Sequence, residues 1–167
     1  SDFNDNIVAD VNANSIDGGI GNDTVSYANS LAAVTLVLNG GAGVGGDAAG
    51  DVLVNVENLT GSDNADTLTG EANVNVLDGG IGNDTLLGTG GNDTLVGGRG
   101  TNLLDGGADI DTADYSVQTD AVTINLATLS GAGTNISDTY VSIENATGGS
   151  GADTITGDGA VNTLDGG

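Results

Sequence analysis

From Gly61 the chain repeats itself every nine residues, and that short period limits the folds open to it. Six nonapeptides run in phase to Asp114: GSDNADTLT, GEANVNVLD, GGIGNDTLL, GTGGNDTLV, GGRGTNLLD and GGADIDTAD. Their sixth positions are Asp66, Asn75, Asp84, Asp93, Asn102 and Asp111, and their eighth are Leu68, Leu77, Leu86, Leu95, Leu104 and Ala113. A helix would space its apolar residues at intervals of 3.6, and no segment does so. Each unit divides instead into a six-residue turn rich in Gly, Asn and Asp, followed by a triplet with one apolar side chain. Such a triplet suits a very short strand whose middle residue points inward. Glycine serves where the backbone takes positive φ or must approach a ligand closely.

A longer duplication lies above the short one. Residues 1–19, 62–80 and 149–167 match one another, and the stretches between them match as well. Asp23–Tyr27 corresponds to Asp111–Tyr115, AVTLVL (33–38) to AVTINL (121–126), and DVLVNVENLTG (51–61) to DTYVSIENATG (138–148). The chain therefore reads as two copies of one module and the start of a third. The expected organisation is repeat blocks at 1–26, 61–114 and 148–167, joined by linking segments at 27–60 and 115–147. Alternation in AVTLVL and VLVNV predicts longer strands there, with loops at 40–50 and 130–138. The sequence leaves two paths open for the linking segments, as irregular coils of the same architecture or as excursions from it. Tyr27 and Tyr115 stand where the nonapeptide pattern stops and are expected to plug the apolar interior. A chain that starts and stops inside a repeat is expected to be part of something longer.

Charge narrows the choice of partner. The 167 residues carry 24 acidic side chains against one base, Arg99, for a net charge of -23. One arginine cannot compensate a phosphate backbone or an anionic bilayer, which excludes nucleic acid and membrane surfaces as partners. No run of spanning length is present, so membrane insertion is excluded too. High negative charge can mark disorder, but 37% of the residues are hydrophobic and the acids recur at fixed spacing. Carboxylates held close together repel, and multivalent cations would neutralise them. With no Cys the chain has no disulfide framework, so a secreted protein of this kind needs another staple. Large core side chains are scarce, since aromatics make up only 2%.

GGIGNDTLL (79–87) and GGIGNDTVS (18–26) satisfy every position of G-G-x-G-x-D-x-U-x, the calcium-binding nonapeptide of RTX proteins; GTGGNDTLV lacks only the second Gly. The chain resembles the repeat regions of bacterial RTX (haemolysin-type) proteins, which include toxins, serralysin-like proteases and large adhesins. That resemblance implies an all-β parallel β-roll, or β-solenoid, in which two nonapeptides make one coil and each turn stacks on its second neighbour. It implies several Ca²⁺ ions, each between two stacked turns and held by sixth-position carboxylates and by backbone carbonyls near the start of each turn. Calcium suits such a site because it takes six to eight oxygens in loose geometry.

Applied to this sequence, the rule pairs Asp66 with Asp84 and Asp93 with Asp111 as the best sites, and Asp5 with Asp23 as a third. The carbonyl donors are expected at Gly79, Gly80, Gly82, Gly88, Gly91, Gly97 and Gly106. Asp153 needs a partner beyond residue 167. Asn75 and Asn102 each offer one neutral oxygen, so their sites should be weaker. Extending the frame backward puts Glu57 two units before Asn75, and Glu144 two before Asn162; Glu57 is expected to supply the charge Asn75 lacks.

Other motifs fail on context. GAGVGG (41–46) has no following helix to make a dinucleotide site. DIDTAD (109–114) has Asp114 where a calcium-binding helix–loop–helix needs Gly. Without His or Cys no nucleophile–base pair can be assembled, so no catalysis is expected. The resemblance implies export from a bacterial cell by type I secretion and folding outside on calcium. Three roles then compete: a structural segment of a secreted or cell-surface protein such as an adhesin, neighbouring further repeats; a secretion and folding module of a protease, lipase or epimerase; and a solenoid with a binding face. The last is disfavoured because the Thr67, Thr85, Thr94 and Thr112 series is broken by Val76 and Leu103.

Overall fold

The two halves of the nonapeptide become a corner and a strand. The structure is a computed structural model describing residues 1–38 and 40–167. The triplets at Thr67–Thr69, Val76–Asp78, Thr94–Val96 and Thr112–Asp114 are three-residue strands, while Thr85–Thr89 and Leu103–Gly107 run on into the next corner. Successive triplets enter different sheets, so two nonapeptides make one coil. Each strand pairs in parallel with the one eighteen residues on: Thr67 with Thr85 and Thr85 with Leu103, then Val76 with Thr94 and Thr94 with Thr112. The result is a parallel β-roll.

One sheet has eight parallel strands in the spatial order Asn6–Val8, Thr24–Ser26, Asn58–Thr60, Val76–Asp78, Thr94–Val96, Thr112–Asp114, Asn145–Thr147 and Leu164–Asp165. A second runs Thr35–Val37, Thr67–Thr69, Thr85–Thr89, Leu103–Gly107, Ile136–Val141, Ser130–Gly133, Thr123–Asn125 and Thr154–Thr156. Ser15–Asp17 and Val52–Val54 form a separate parallel pair. The linking segments are thus coils of the same roll, since each contributes strands to the stack of the repeat blocks.

Two local expectations need correction. The alternating stretches AVTLVL and VLVNV hold strands of only three residues, Thr35–Val37 and Val52–Val54, as does Thr123–Asn125 in the second copy, because a corner closes the coil at both ends. The longer strand of the linking segments is Ile136–Val141, six residues with alternating burial. Residues 130–138 are not a loop. Ser130–Gly133 lies antiparallel to both Thr123–Asn125 and Ile136–Val141. Its glycine content serves packing, since a Cβ on Gly131 would collide with the hydroxyls of Tyr115 and Tyr140. The 40–50 stretch is irregular, with one 3-10 turn at Gly46–Ala48.

Eighth-position side chains fill the interior. Val25, Leu59, Leu77, Leu95, Ala113 and Ala146 are register partners down the first sheet, and Leu36, Leu68, Leu86, Leu104 and Tyr140 down the second. All join one buried cluster. Each buried leucine contributes about 1.5–3 kcal/mol, in a core one side chain deep from each sheet. Among the described residues, no helix is long and apolar enough to cross a membrane.

Candidate metal centres along the corner columns

Corners stack as the strands do, so the sixth-position side chains line up in two columns. In each, a backbone N–H donates to a side-chain oxygen one coil on. Asp66 donates to Asp84 Oδ1 (2.8 Å) and Asp84 to Asn102 Oδ1 (2.9 Å). In the other column Asp5 donates to Asp23 Oδ1 (2.7 Å), Asn75 to Asp93 Oδ1 (2.8 Å) and Asp93 to Asp111 Oδ1 (2.8 Å). Asp153 Oδ1 accepts from Val122 (2.9 Å). Asp66 therefore lies beside Asp84, Asp93 beside Asp111, and Asp5 beside Asp23.

The second carboxylate oxygen separates two kinds of corner. In 61–66, 70–75, 148–153 and 157–162 the sixth side chain accepts the N–H of its own corner's second residue: Ser62, Glu71, Gly149 or Asp158. These corners cap themselves. In 18–23, 79–84, 88–93 and 106–111 the second residue is left-handed instead, with φ of 99° at Gly19, 89° at Gly80, 80° at Thr89 and 96° at Gly107. Among the described residues five buried side-chain oxygens have no hydrogen-bond partner, and four are Oδ2 of Asp23, Asp84, Asp93 and Asp111. A buried acceptor left bare costs about 1–3 kcal/mol, and more when charged. Four such atoms at equivalent places call for a common partner. The corner 97–102 is also left-handed at Gly98 (φ 75°), but it ends in Asn102, whose amide donates to Asp138 Oδ1 (2.8 Å).

Backbone oxygens converge on the same points. A Cβ on Gly88 would meet both Asp93 Oδ2 and the Gly106 carbonyl of the next coil (2.5 Å), so the bare oxygen and that carbonyl share one small space. The Gly79 carbonyl likewise faces Gly61 and the Gly88 carbonyl faces Gly70, while those of Gly80 and Gly82 face Gly98 and Gly100. Gly80 O already accepts the Arg99 N–H (3.0 Å). Gly91 packs its α-carbon on Asn73, and Gly97 lies against the Asn102 amide. Among the described residues no three acidic side chains gather at one point. A cation here would draw on a carboxylate pair and complete its shell with carbonyls, a donor set that fits Ca²⁺ and its loose coordination better than the strict octahedron of Mg²⁺.

Electrostatics agree with an unmet demand for positive charge. Burial pushes the Asp84 carboxyl up to about 7, aided by the charges of Asp66, Asp78 and Asp138 and opposed by the Asp66 N–H. Asp93 is pushed up to about 6 by burial and then by Asp111 and Asp109. Asp111 also rises to about 6, through burial and then Glu144, Asp109 and Asp105. A divalent ion reverses this balance by favouring the ionised form.

A family model described as the RTX calcium-binding nonapeptide repeat matches the chain in four copies, at residues 1–29, 56–86, 78–113 and 142–167. The chain belongs to this family. Among curated proteins, none matches it. The fourth copy of the RTX repeat opens at 142 and the second at 56, so both take in the ends of the linking segments.

Those ends enter the RTX columns in ways the repeat pattern does not announce. Glu57 stands between Asp23 and Asn75, but its carboxylate turns toward Asp23, accepting that residue's N–H at Oε2 (2.8 Å). Asn75 touches only the Glu57 backbone, donating from Nδ2 to its carbonyl (2.7 Å). The expected exchange of charge between Glu57 and Asn75 is therefore not the contact the structure makes. Sequence reasoning also passed over Asp51 and Asp138, which fill sixth-position places within the linking coils. Asn14 donates to Asp51 Oδ1 (2.7 Å) and Asn102 to Asp138 Oδ1 (3.2 Å). Their other oxygens take a phenol instead of standing bare: Tyr27 donates to Asp51 Oδ2 (2.8 Å) and Tyr115 to Asp138 Oδ2 (2.6 Å). Burial raises both tyrosines well above the ordinary phenol value, keeping them as donors. The signal was the matching pair Tyr27…Asp51 and Tyr115…Asp138 in the two modules.

Proposed function

We propose that this RTX segment is a calcium-dependent structural element of a secreted or cell-surface bacterial protein, folding when it meets extracellular calcium. The observation that carries the reading is the set of bare, buried Oδ2 atoms on Asp23, Asp84, Asp93 and Asp111. Calcium lodges between Asp93 and Asp111, where a bare carboxylate oxygen, a second carboxylate and the Gly106 carbonyl converge. It also lodges between Asp66 and Asp84, held less tightly because Asp66 already accepts the Ser62 N–H. Asp84 with Asn102 makes a weaker site, with one neutral oxygen. Asp5 with Asp23 completes the set at the first block.

The reading assigns this chain no reaction, because its buried carboxylates are explained as ligands. A binding-face role has little support. The outward Thr35, Thr67 and Thr85 column is broken at Leu103, and Thr94 and Thr112 follow Val76 in the other sheet. Continuity of the roll through both linking segments favours a stiff, extended element over a series of separate modules.

Folding coupled to calcium is tested by far-ultraviolet circular dichroism during a calcium titration begun in EDTA. The expected result is a disordered spectrum that converts to β with a midpoint of about 10⁻⁴–10⁻³ M, the range of extracellular modules. Identical β spectra with and without the chelator would overturn the proposal.

A further inference from the structure

Each linking segment rejoins the acidic column through a glutamate, and each glutamate meets a bare aspartate. Thr24 pairs with Asn58 and Thr112 with Asn145, which stacks Glu57 on Asp23 and Glu144 on Asp111. Asp23 donates its N–H to Glu57 Oε2 (2.8 Å), and Asp111 donates to Glu144 Oε2 (2.9 Å). This is the contact Asp93 makes with Asp111 inside the repeat.

The backbone repeats the pattern. Asn55 and Ser142, each two residues before its glutamate, sit in the left-handed region with φ of 49° and 48°. Their carbonyls face Gly18 and Gly106, where an added Cβ would collide both with that carbonyl and with the Oδ2 of Asp23 or Asp111. Both Oδ2 atoms are buried and without a partner, and both aspartates are 0% exposed. Each junction thus gathers a bare aspartate oxygen, a glutamate carboxylate and a carbonyl aimed at the same point. The extra methylene of glutamate gives the reach needed where a three-residue turn (55–57 and 142–144) replaces the six-residue corner.

We propose that Asp23 with Glu57, and Asp111 with Glu144, hold two further calcium ions that clamp the linking coils onto the repeat blocks. The proposal rests on the calcium reading above and extends it beyond the nonapeptides. The asparagines on the far side of each glutamate take no part: Asn75 Oδ1 accepts from Glu71 and Asn162 Oδ1 from Asp158 (2.9 Å), and both amides donate to the glutamate carbonyls. Calcium, which accepts carboxylate and carbonyl oxygens together in irregular geometry, is the ion such a set would select.

Isothermal titration calorimetry of the full chain with calcium tests this on Glu57→Gln, Glu144→Gln, the double variant and, as a control, Asp93→Asn. Glutamine keeps an oxygen for the aspartate N–H and removes only the charge. Each single glutamine variant should bind one ion fewer than the parent chain, and the double variant two fewer. Unchanged stoichiometry and affinity in the glutamine variants, with one ion lost in Asp93→Asn, would overturn the junction sites and leave the calcium reading standing. No loss in Asp93→Asn either would bring down both. If the double variant fails to regain its β spectrum in calcium, crystals of the unaltered chain decide. An anomalous calcium peak about 2.3–2.6 Å from the Glu57 and Glu144 carboxylates supports the proposal, and its absence overturns it.

Discussion

Gly80 and Gly90 differ by ten positions in sequence and by far more in what they tolerate. Gly80 has φ of 89°, and a Cβ there would lie 2.6 Å from the Ser62 carbonyl. At Gly90 the nearest atom would be the Ala72 α-carbon, 3.8 Å away. Gly80→Ala should therefore destabilise the calcium-loaded roll by at least about 1–2 kcal/mol, the cost of a left-handed L-residue. Gly90→Ala should be close to neutral, and thermal melts of the two variants at saturating calcium measure the difference. At this scale the sequence announces the sixth-position aspartates, because side chains stacked at an eighteen-residue offset must recur in phase. It announces less about which of them stand bare. Asn22, Asn83 and Asn92 precede three of the bare aspartates, whereas Ala65, Val74, Ala152 and Val161 lie in self-capping corners; Ile110, before the bare Asp111, shows that the fifth residue alone does not decide. The polar fifth residues are themselves tied between coils, Asn83 Oδ1 accepting from Thr101 (2.9 Å) and Asn92 Oδ1 from Ile110 (3.1 Å). Ala65, Val74, Ala152 and Val161 make no such tie, and in their corners the sixth side chain takes the second residue's N–H.

Among the elements, the strand triplets are set by the eighth-position leucines and the linking coils by their tyrosines. Tyr115 and Tyr140 share a hydrogen bond (2.6 Å) beneath the Ser130–Gly133 strand, and Tyr115 also satisfies Asp138. Tyr115→Phe leaves Asp138 Oδ2 buried without that donor, which should cost about 1–3 kcal/mol and raise the calcium concentration needed for half-folding. Tyr27→Phe should act in the same direction through Asp51. A change of midpoint in the circular dichroism titration reads both; unshifted midpoints would mean the phenols are only filler. The plug expected of these tyrosines is real in that both are buried, yet their hydroxyls do a second task the sequence pattern concealed. Both tyrosine–aspartate pairs are distant in the chain, and neither aspartate belongs to a nonapeptide. The strand at 130–133 was hidden for a related reason: Gly131 is required by the ring hydroxyls packed against it, and a glycine chosen for packing looks in sequence like one chosen for a turn.

Across the whole molecule, net charge of -23 and an interior one side chain deep leave little apolar burial to offset the repulsion among the roll's carboxylates. Asp84, Asp93 and Asp111 have folded values of about 7, 6 and 6 against 3.8 for a free carboxyl. A carboxyl raised on folding takes up a proton more readily in the roll than in the unfolded chain. Without calcium, the roll therefore loses stability as pH rises from about 4 to 7 and regains it on acidification. In EDTA, lowering the pH from about 8 to 5 should restore part of the β spectrum, while calcium affinity falls over the same window because the ion competes with protons. An apo spectrum indifferent to pH in that range would argue against buried, cation-seeking carboxylates. The most direct test is small-angle scattering of the full chain at neutral pH, first in EDTA and then in excess calcium. The radius of gyration should fall from about 43 Å, the size of an unfolded chain of this length, to between about 15 and 20 Å on adding the ion. A chain already compact in EDTA, and unchanged by calcium, would contradict the claim that cations between the coils hold the roll together.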